Sequence, residues 1–174
     1  MKKVEDYIKS IPDFPKEGII FRDVTSVLED KDGFSLAIDE MNKLLEGVDY
    51  NLIAGTESRG FIFGAPLAYM NKKGFIPVRK KGKLPRETVE MSYELEYGSA
   101  TIEIHKDAVK PGDKVVLVDD LIATGGTILA TAKLIEQLGG EVVKMIFLIE
   151  LPDLGGRELL KGYDVASVVQ FEGE

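Results

Sequence analysis

The spacing of apolar positions changes along this 174-residue chain, and each change predicts an element. Val4, Tyr7, Ile8 and Ile11 recur at three- and four-residue intervals, which predicts a short amphipathic helix over residues 2–10, stopped near Pro12. Pro12, Pro15 and Gly18 punctuate an irregular segment leading to the apolar run Ile19-Ile20-Phe21. Leu36, Ile38, Met41, Leu44 and Leu45 restore helical spacing as far as Gly47. The pattern then alternates: a strand at 51–54, an apolar helix from Gly60 to Met70, and a short strand at 75–78. Residues 80–90 are rich in charge, contain Gly82 and Pro85, and have only Leu84 and Val89 as aliphatics, so they predict an exposed, mobile loop. Met91 to Tyr97 and Ala100 to His105 alternate on either side of Gly98-Ser99, which predicts a hairpin. Pro111-Gly112-Asp113 marks a turn before a buried strand at 114–118. A helix from Thr127 to Leu138 ends at Gly139-Gly140, and an apolar strand covers 142–148.

Strands alternating with helices over short connections predict βαβ units, hence an α/β fold with a mainly parallel central sheet flanked by helices. The hairpin interrupts that plan and is expected to be an excursion over the active edge. The length suits a single domain, and no fixed-period repeat or low-complexity tract divides it. A net charge of −8, spread along the chain, argues against general nucleic-acid or anionic-membrane binding. The absence of Cys excludes disulfides, thiolate metal sites and a Cys nucleophile, and a lone His105 excludes a histidine metal cluster. The N-terminal MKKVEDYIKSIPDF is broken by Glu5, Asp6 and Pro12, unlike a signal peptide, and no apolar run is long enough to span a bilayer. A cytoplasmic location is the expectation.

One stretch concentrates the chemistry: VVLVDDLIATGGT, residues 115–127. A buried strand runs into Asp119-Asp120, and a Thr/Gly loop then leads into the next helix. In open α/β sheets the ligand site lies beyond the carboxyl ends of the strands. Glycines let backbone N–H groups approach an anion, Thr hydroxyls add donors, and a helix N-terminus favours negative charge. The loop therefore suits a single phosphate. The carboxylates suit the hydroxyls of a sugar carrying it, or a metal held through water. On residue types alone the alternative is a solvated strand end with Gly-Gly as a simple turn.

VVLVDDLIATGGT resembles the phosphoribosyl pyrophosphate signature of the type I phosphoribosyltransferase family. The segments DFPKEGIIFRDVTSVL (13–28), ESRGFIFG (57–64), RKKGKLP (79–85) and SYELEYG (92–98) resemble, in order, those of its adenine-specific members. The resemblance implies one domain over residues 1–174, with an N-terminal hood contributed mainly by about 1–30 and a flexible catalytic loop at about 79–98. It implies transfer of ribose 5-phosphate from Mg2+-bound phosphoribosyl pyrophosphate to adenine, giving AMP and pyrophosphate, in a homodimer.

Carried over residue by residue, the resemblance implies that Ala123, Thr124, Gly125, Gly126 and Thr127 cradle the 5′-phosphate. Asp119 and Asp120 would face the ribose hydroxyls and favour positive charge developing on the sugar, which fixed carboxylates stabilise. No direct protein ligand to the metal is implied; the substrate would hold Mg2+, with water linking it to Asp119 or Asp120. Arg59, Lys80 and Lys83 would reach pyrophosphate, and the alternative for Arg59 is a surface pair with Glu57. Glu96 would hold or relay a proton at the purine imidazole, or else simply occupy the polar face of a strand. Ile20 and Arg22 would read the edge of adenine through backbone groups while Phe21 stacks on its face. His105 fits a structural or dimer-interface role better than general-base catalysis. Two other functions share the signature: transfer to a 6-oxopurine such as xanthine, and a non-catalytic regulator that senses phosphoribosyl pyrophosphate.

Overall fold

The computed structural model describes residues 1–95 and 97–173. The chain opens with a 3-10 turn, Val4–Tyr7, followed by strands β1 (Lys9–Pro12) and β2 (Ile20–Asp23), which pair antiparallel as a separate two-stranded sheet. The helix expected over 2–10 is therefore one turn only. Val4 and Ile8 do bury together at their four-residue separation. From Lys9 onward the backbone is drawn into pairing with β2, and Lys9 N–H donates to Ser26 Oγ at 2.9 Å. Tertiary pairing overrides the local periodicity there. The short helix α1 (Thr25–Leu28) leads into α2 (Lys31–Lys43), which starts earlier than its apolar spacing suggested. Asp30 sets that start: its carboxylate accepts from Asp32 N–H at 2.9 Å and Gly33 N–H at 3.0 Å, an N-cap.

The remaining elements are β3 (Leu52–Thr56), α3 (Arg59–Met70), β4 (Gly74–Lys80), β5 (Thr88–Glu94), β6 (Ser99–His105), β7 (Lys114–Ile122), α4 (Gly126–Gln137), β8 (Glu141–Glu150), α5 (Gly156–Leu159) and β9 (Val165–Gln170). Seven strands form the main sheet in the order β5-β6-β4-β3-β7-β8-β9. The run from β4 to β9 is parallel, as the alternation of strands and helices requires. The predicted hairpin is β5-β6, and it extends the sheet antiparallel along β4.

Within the central strands successive residues feed opposite cores. Ile53, Val116, Val118, Ile146 and Leu148 pack with α2 and α3 on one face. Ala54, Val115, Leu117, Met145 and Phe147 pack with α4 on the other. A strand buried on both sides reads as a continuous apolar run, which is why strands were legible at 114–118 and 142–148. Covering opposite faces, α3 carries the chain from β3 outward to β4 while α4 carries it from β7 to β8. The connections leaving the neighbours β3 and β7 therefore diverge, and a crevice opens beyond their carboxyl ends. Among the described residues no helix is long and apolar enough to cross a membrane.

Candidate active site

Strand β7 does not end at Val118 but runs to Ile122, so Asp119 and Asp120 lie inside it. The register explains this. Pairing with β3 stops at Val118, opposite Gly55, while pairing with β8 continues through Asp119, Leu121 and Ile122. The two carboxylates stand where β7 has lost one neighbour and kept the other, at the crevice floor.

Three cavities meet there. One of about 430 Å³ is bounded by β2, including Ile20, Phe21 and Arg22, and by Arg59 and Asp120. A second of about 410 Å³ is lined by Glu57, Arg59, Lys80, Asp119, Asp120 and Thr127. A third, about 150 Å³, is formed by the loop 123–126 with Asp119 and Thr127. Asp120 and Arg59 are shared by the first two, Asp119 and Thr127 by the last two.

The first cavity is walled largely by apolar groups. The Phe21 ring meets Phe14 edge-on at 5.2 Å, and the Arg22 guanidinium covers the Phe171 ring at 4.2 Å. Opposite β2, Leu121, Leu151 and Leu154 complete the wall. Among the described residues β2 pairs with β1 alone, so its far edge carries no second strand.

In the second cavity Arg59 Nε donates to Asp120 Oδ2 at 2.5 Å, with the Asp120 side chain only 6% exposed and that of Arg59 52% exposed. Arg59 is thus not paired with Glu57. Glu57 instead accepts from Arg79 Nε at 3.2 Å and from Lys80 N–H at 2.8 Å. Burial works against the Glu57 charge, but these two donors outweigh it and hold its carboxyl below its ordinary pKa. The Glu57–Ser58 peptide between β3 and α3 is cis. Asp119 lies the other way: removal from water first, then the charge of Asp120, push its pKa well above its ordinary value.

The third cavity follows from local backbone chemistry. Gly125 sits at φ +86°, a left-handed conformation that turns the chain into α4. The N-cap position of α4 is Gly125, which has no capping side chain, and no acidic residue occupies the first turn, so this helix start favours an anion. Thr127 Oγ1 donates to Tyr93 Oη at 2.9 Å, tying the hairpin to the loop.

Of the residues singled out from sequence, Ile20, Phe21, Arg22, Arg59, Lys80, Asp119, Asp120 and 123–127 converge on this crevice. Lys83 does not line it. Its side chain is exposed and its backbone N–H donates to Glu103 Oε1 at 3.1 Å. Glu96 lies outside the described residues. The segment 80–90, expected to be an exposed, mobile loop, enters β5 at Thr88 and is anchored: Glu103, 3% exposed, also accepts from Leu84 N–H at 3.0 Å and from the Thr88 hydroxyl at 3.3 Å. His105 is buried and receives Arg86 N–H at 3.4 Å, a structural placement. Sequence reasoning missed Thr56, Tyr93, Leu151 and Leu154 as lining residues. Only Tyr93 left a signal, the alternation of its hairpin strand.

Residues 35–171 match the family model described as phosphoribosyl transferase domain. The chain is 69% identical to an adenine phosphoribosyltransferase of Lachnoclostridium phytofermentans over 174 residues, all of both chains. The crystal structure of adenine phosphoribosyltransferase from Thermoanaerobacter pseudethanolicus superposes with a TM-score of 0.92 at 57% identity, covering 97% of this chain and 98% of that one. The Saccharomyces cerevisiae enzyme, solved with an imino-altritol bisphosphate and adenine, gives 0.89 at 39% identity, covering 95% and 96%. With its sheet order, its three joined cavities and these likenesses, the chain belongs to the adenine phosphoribosyltransferases of the type I phosphoribosyltransferase family.

Proposed function

We infer that this protein transfers the ribosyl 5-phosphate of phosphoribosyl pyrophosphate to adenine in purine salvage, forming AMP and pyrophosphate. The observation that carries the reading is the meeting of three cavities at one carboxylate pair. A largely apolar slot suits a purine, an Arg/Lys-lined cleft suits pyrophosphate, and a glycine loop at a helix start suits a phosphate monoester. The yeast relative solved with adenine supports the choice of base.

In the reaction the C1′–O bond to pyrophosphate breaks and a bond from adenine N9 to C1′ forms, while the N9 proton leaves to a base. Ala123 to Thr127 hold the 5′-phosphate and thereby place C1′ between the base and the leaving group. Asp119 and Asp120 accept from the ribose hydroxyls and stabilise positive charge at the sugar as the leaving group departs. Arg59 and Lys80 receive pyrophosphate; the 52% exposure of the Arg59 side chain supports this, because its remaining donors stay accessible. Lys83 joins them only if the 81–87 segment moves inward. Glu96 holds or relays the N9 proton. Phe21 stacks on the base while Ile20 and Arg22 read its edge through backbone groups of β2. A base with reversed donors and acceptors would leave buried polar groups unmatched.

The donor set fits Mg2+ only as a substrate-borne ion. Among the described residues no cluster of three His, Cys, Asp or Glu side chains could cage a metal. Two adjacent aspartates fit an ion that keeps waters and binds chiefly phosphate oxygens. Bound in that way, it would neutralise charge on the departing pyrophosphate.

The separate β1-β2 sheet beside the base slot supports a hood formed by about residues 1–30 of a single domain, and Lys80 and Tyr93 in the wall of the second cavity support a catalytic loop at about 79–98. Exposed Ile62, Tyr69 and Met70 on α3 support a homodimer. A cytoplasmic location accords with the substrates.

Purified protein with Mg2+ and phosphoribosyl pyrophosphate should convert adenine to AMP, followed chromatographically beside hypoxanthine, guanine and xanthine. Equal or faster turnover of a 6-oxopurine would overturn the base assignment. Tight phosphoribosyl pyrophosphate binding without turnover of any base would indicate a sensor.

A further inference from the structure

Glu150, the last residue of β8, is a carboxylate 2% exposed that no step above uses. Its Oε1 accepts from Arg157 Nε at 2.6 Å, and its Oε2 accepts from Arg157 Nη2 at 3.0 Å, Ser167 Oγ at 2.7 Å and Gln170 Nε2 at 3.1 Å. The third guanidinium nitrogen, Nη1, donates to the Val165 carbonyl at 2.8 Å, where β9 begins. The fork is bidentate, so it fixes direction as well as distance. Burial opposes the Glu150 charge, but these donors prevail and hold its pKa below the ordinary value.

The segment between the two partners walls one of the three cavities and backs the loop that forms another. Leu151 and Leu154 wall the base slot, and Leu151 N–H donates to the Ile122 carbonyl at 3.0 Å. Gly156 lies directly behind the phosphate loop: a Cβ there would stand 2.7 Å from the Ala123 carbonyl oxygen, so only glycine allows this approach. By contrast, no residue of 150–159 lines the pyrophosphate cleft.

We propose that Glu150 and Arg157 are positioning residues that hold the base slot and the 5′-phosphate loop at the separation a nucleotide requires. The role rests on the proposed function. The pair clamps both ends of segment 151–156 to the rigid edge formed by β8 and β9. If the clamp opens, the leucine wall and the backing of the loop can shift independently. AMP bridges both subsites and suffers most, whereas pyrophosphate uses neither.

The test is the reverse reaction, AMP plus pyrophosphate giving adenine and phosphoribosyl pyrophosphate, with unfolding temperatures measured alongside. Arg157→Ala should raise KM for AMP by about 10- to 100-fold, the scale of a misplaced reactant, and change KM for pyrophosphate by less than about 2-fold. Arg157→Lys should recover part of the loss, since it keeps the charge but not the fork. If Arg157→Ala does not fold, Ser167→Ala removes one bond to the same carboxylate and should show the same asymmetry at about 2- to 5-fold. Parallel rises in both KM values, or a lower kcat with both KM values unchanged, would overturn the positioning role. No reaction of the unsubstituted protein in either direction would instead overturn the functional reading, and the positioning role with it.

Discussion

Gly125→Ala isolates the conformational requirement of the phosphate loop. Gly125 stands at φ +86°, and an added Cβ would lie 3.3 Å from the Gly156 carbonyl oxygen and 3.5 Å from Leu159 Cδ2. A left-handed conformation costs a residue with a Cβ about 1–2 kcal/mol, and the close oxygen adds to this unless α5 gives way. The cost must appear in one of two places. If the loop keeps its shape, the folded state bears it, and the unfolding temperature falls by about 2–8 °C at roughly 2–4 °C per kcal/mol for a chain of this size. If the loop relaxes to φ below zero, stability recovers but the N–H groups leave the phosphate. KM for phosphoribosyl pyrophosphate then rises by about 5- to 30-fold, the equivalent of the same free energy. Thermal unfolding without ligand and initial rates against phosphoribosyl pyrophosphate at saturating adenine separate the two outcomes. Gly126→Ala is the stability control, because its Cβ would meet only Tyr93 Cδ2 at an ordinary 3.6 Å and its φ is not positive. Its unfolding temperature should stay within about 2 °C, because alanine is favoured inside a helix. A Gly125→Ala protein with both unfolding temperature and KM unchanged would refute the reasoning.

Two further substitutions probe carboxylates whose pKa the fold shifts in opposite directions. Asp119→Asn should lower kcat by about 10²- to 10³-fold, the usual cost of removing one electrostatic contact to the transition state. It should also raise the unfolding temperature at pH 7, because it removes a charge that burial and Asp120 both disfavour. A drop in unfolding temperature would show that Asp119 is instead a structural partner. Glu103 has a folded pKa below its ordinary value of 4.5: burial opposes its charge, but N–H groups of Leu84 and Gly82 and the Thr88 hydroxyl outweigh that effect. Its stabilisation is therefore full above about pH 4.5 and is lost as pH falls through the lower folded value. Glu103→Gln should be less stable than the unsubstituted protein at neutral pH, with the difference shrinking in acid; a pH-independent difference in unfolding free energy would contradict this.

Much of the architecture was legible because it rests on local rules. Strands β3, β4, β7 and β8 announce themselves as short apolar runs, since a parallel sheet covered on both faces admits few polar side chains. Helices α3 and α4 show apolar periodicity, and the β5-β6 hairpin shows alternation about Gly98-Ser99. The elements that escaped lack such signals. β1 is four exposed residues whose spacing imitates a helix, and β9 and α5 are short segments stabilised by neighbours. The start of α2 depended on a cap, Asp30, that precedes the periodic stretch.

At the site the same division holds. The loop 123–127 proposed to hold the phosphate could be read in the sequence as a turn into a helix, because glycine, threonine and a helix start suffice in contiguous order to describe it. The partners of the charged groups could not. Arg59 reaches Asp120, 61 residues away, instead of its near neighbour Glu57, and Glu57 goes to Arg79. Glu103 takes the backbone of Lys83, so that lysine's place in the chain did not foretell where it stands. Composition, periodicity and one contiguous motif determined the fold class and the glycine loop at the start of α4. Only the tertiary structure decided which charges meet and which walls close the base slot, because those contacts depend on strand register and on how β3, β7 and β8 bring distant segments together, and no local spacing encodes that distance.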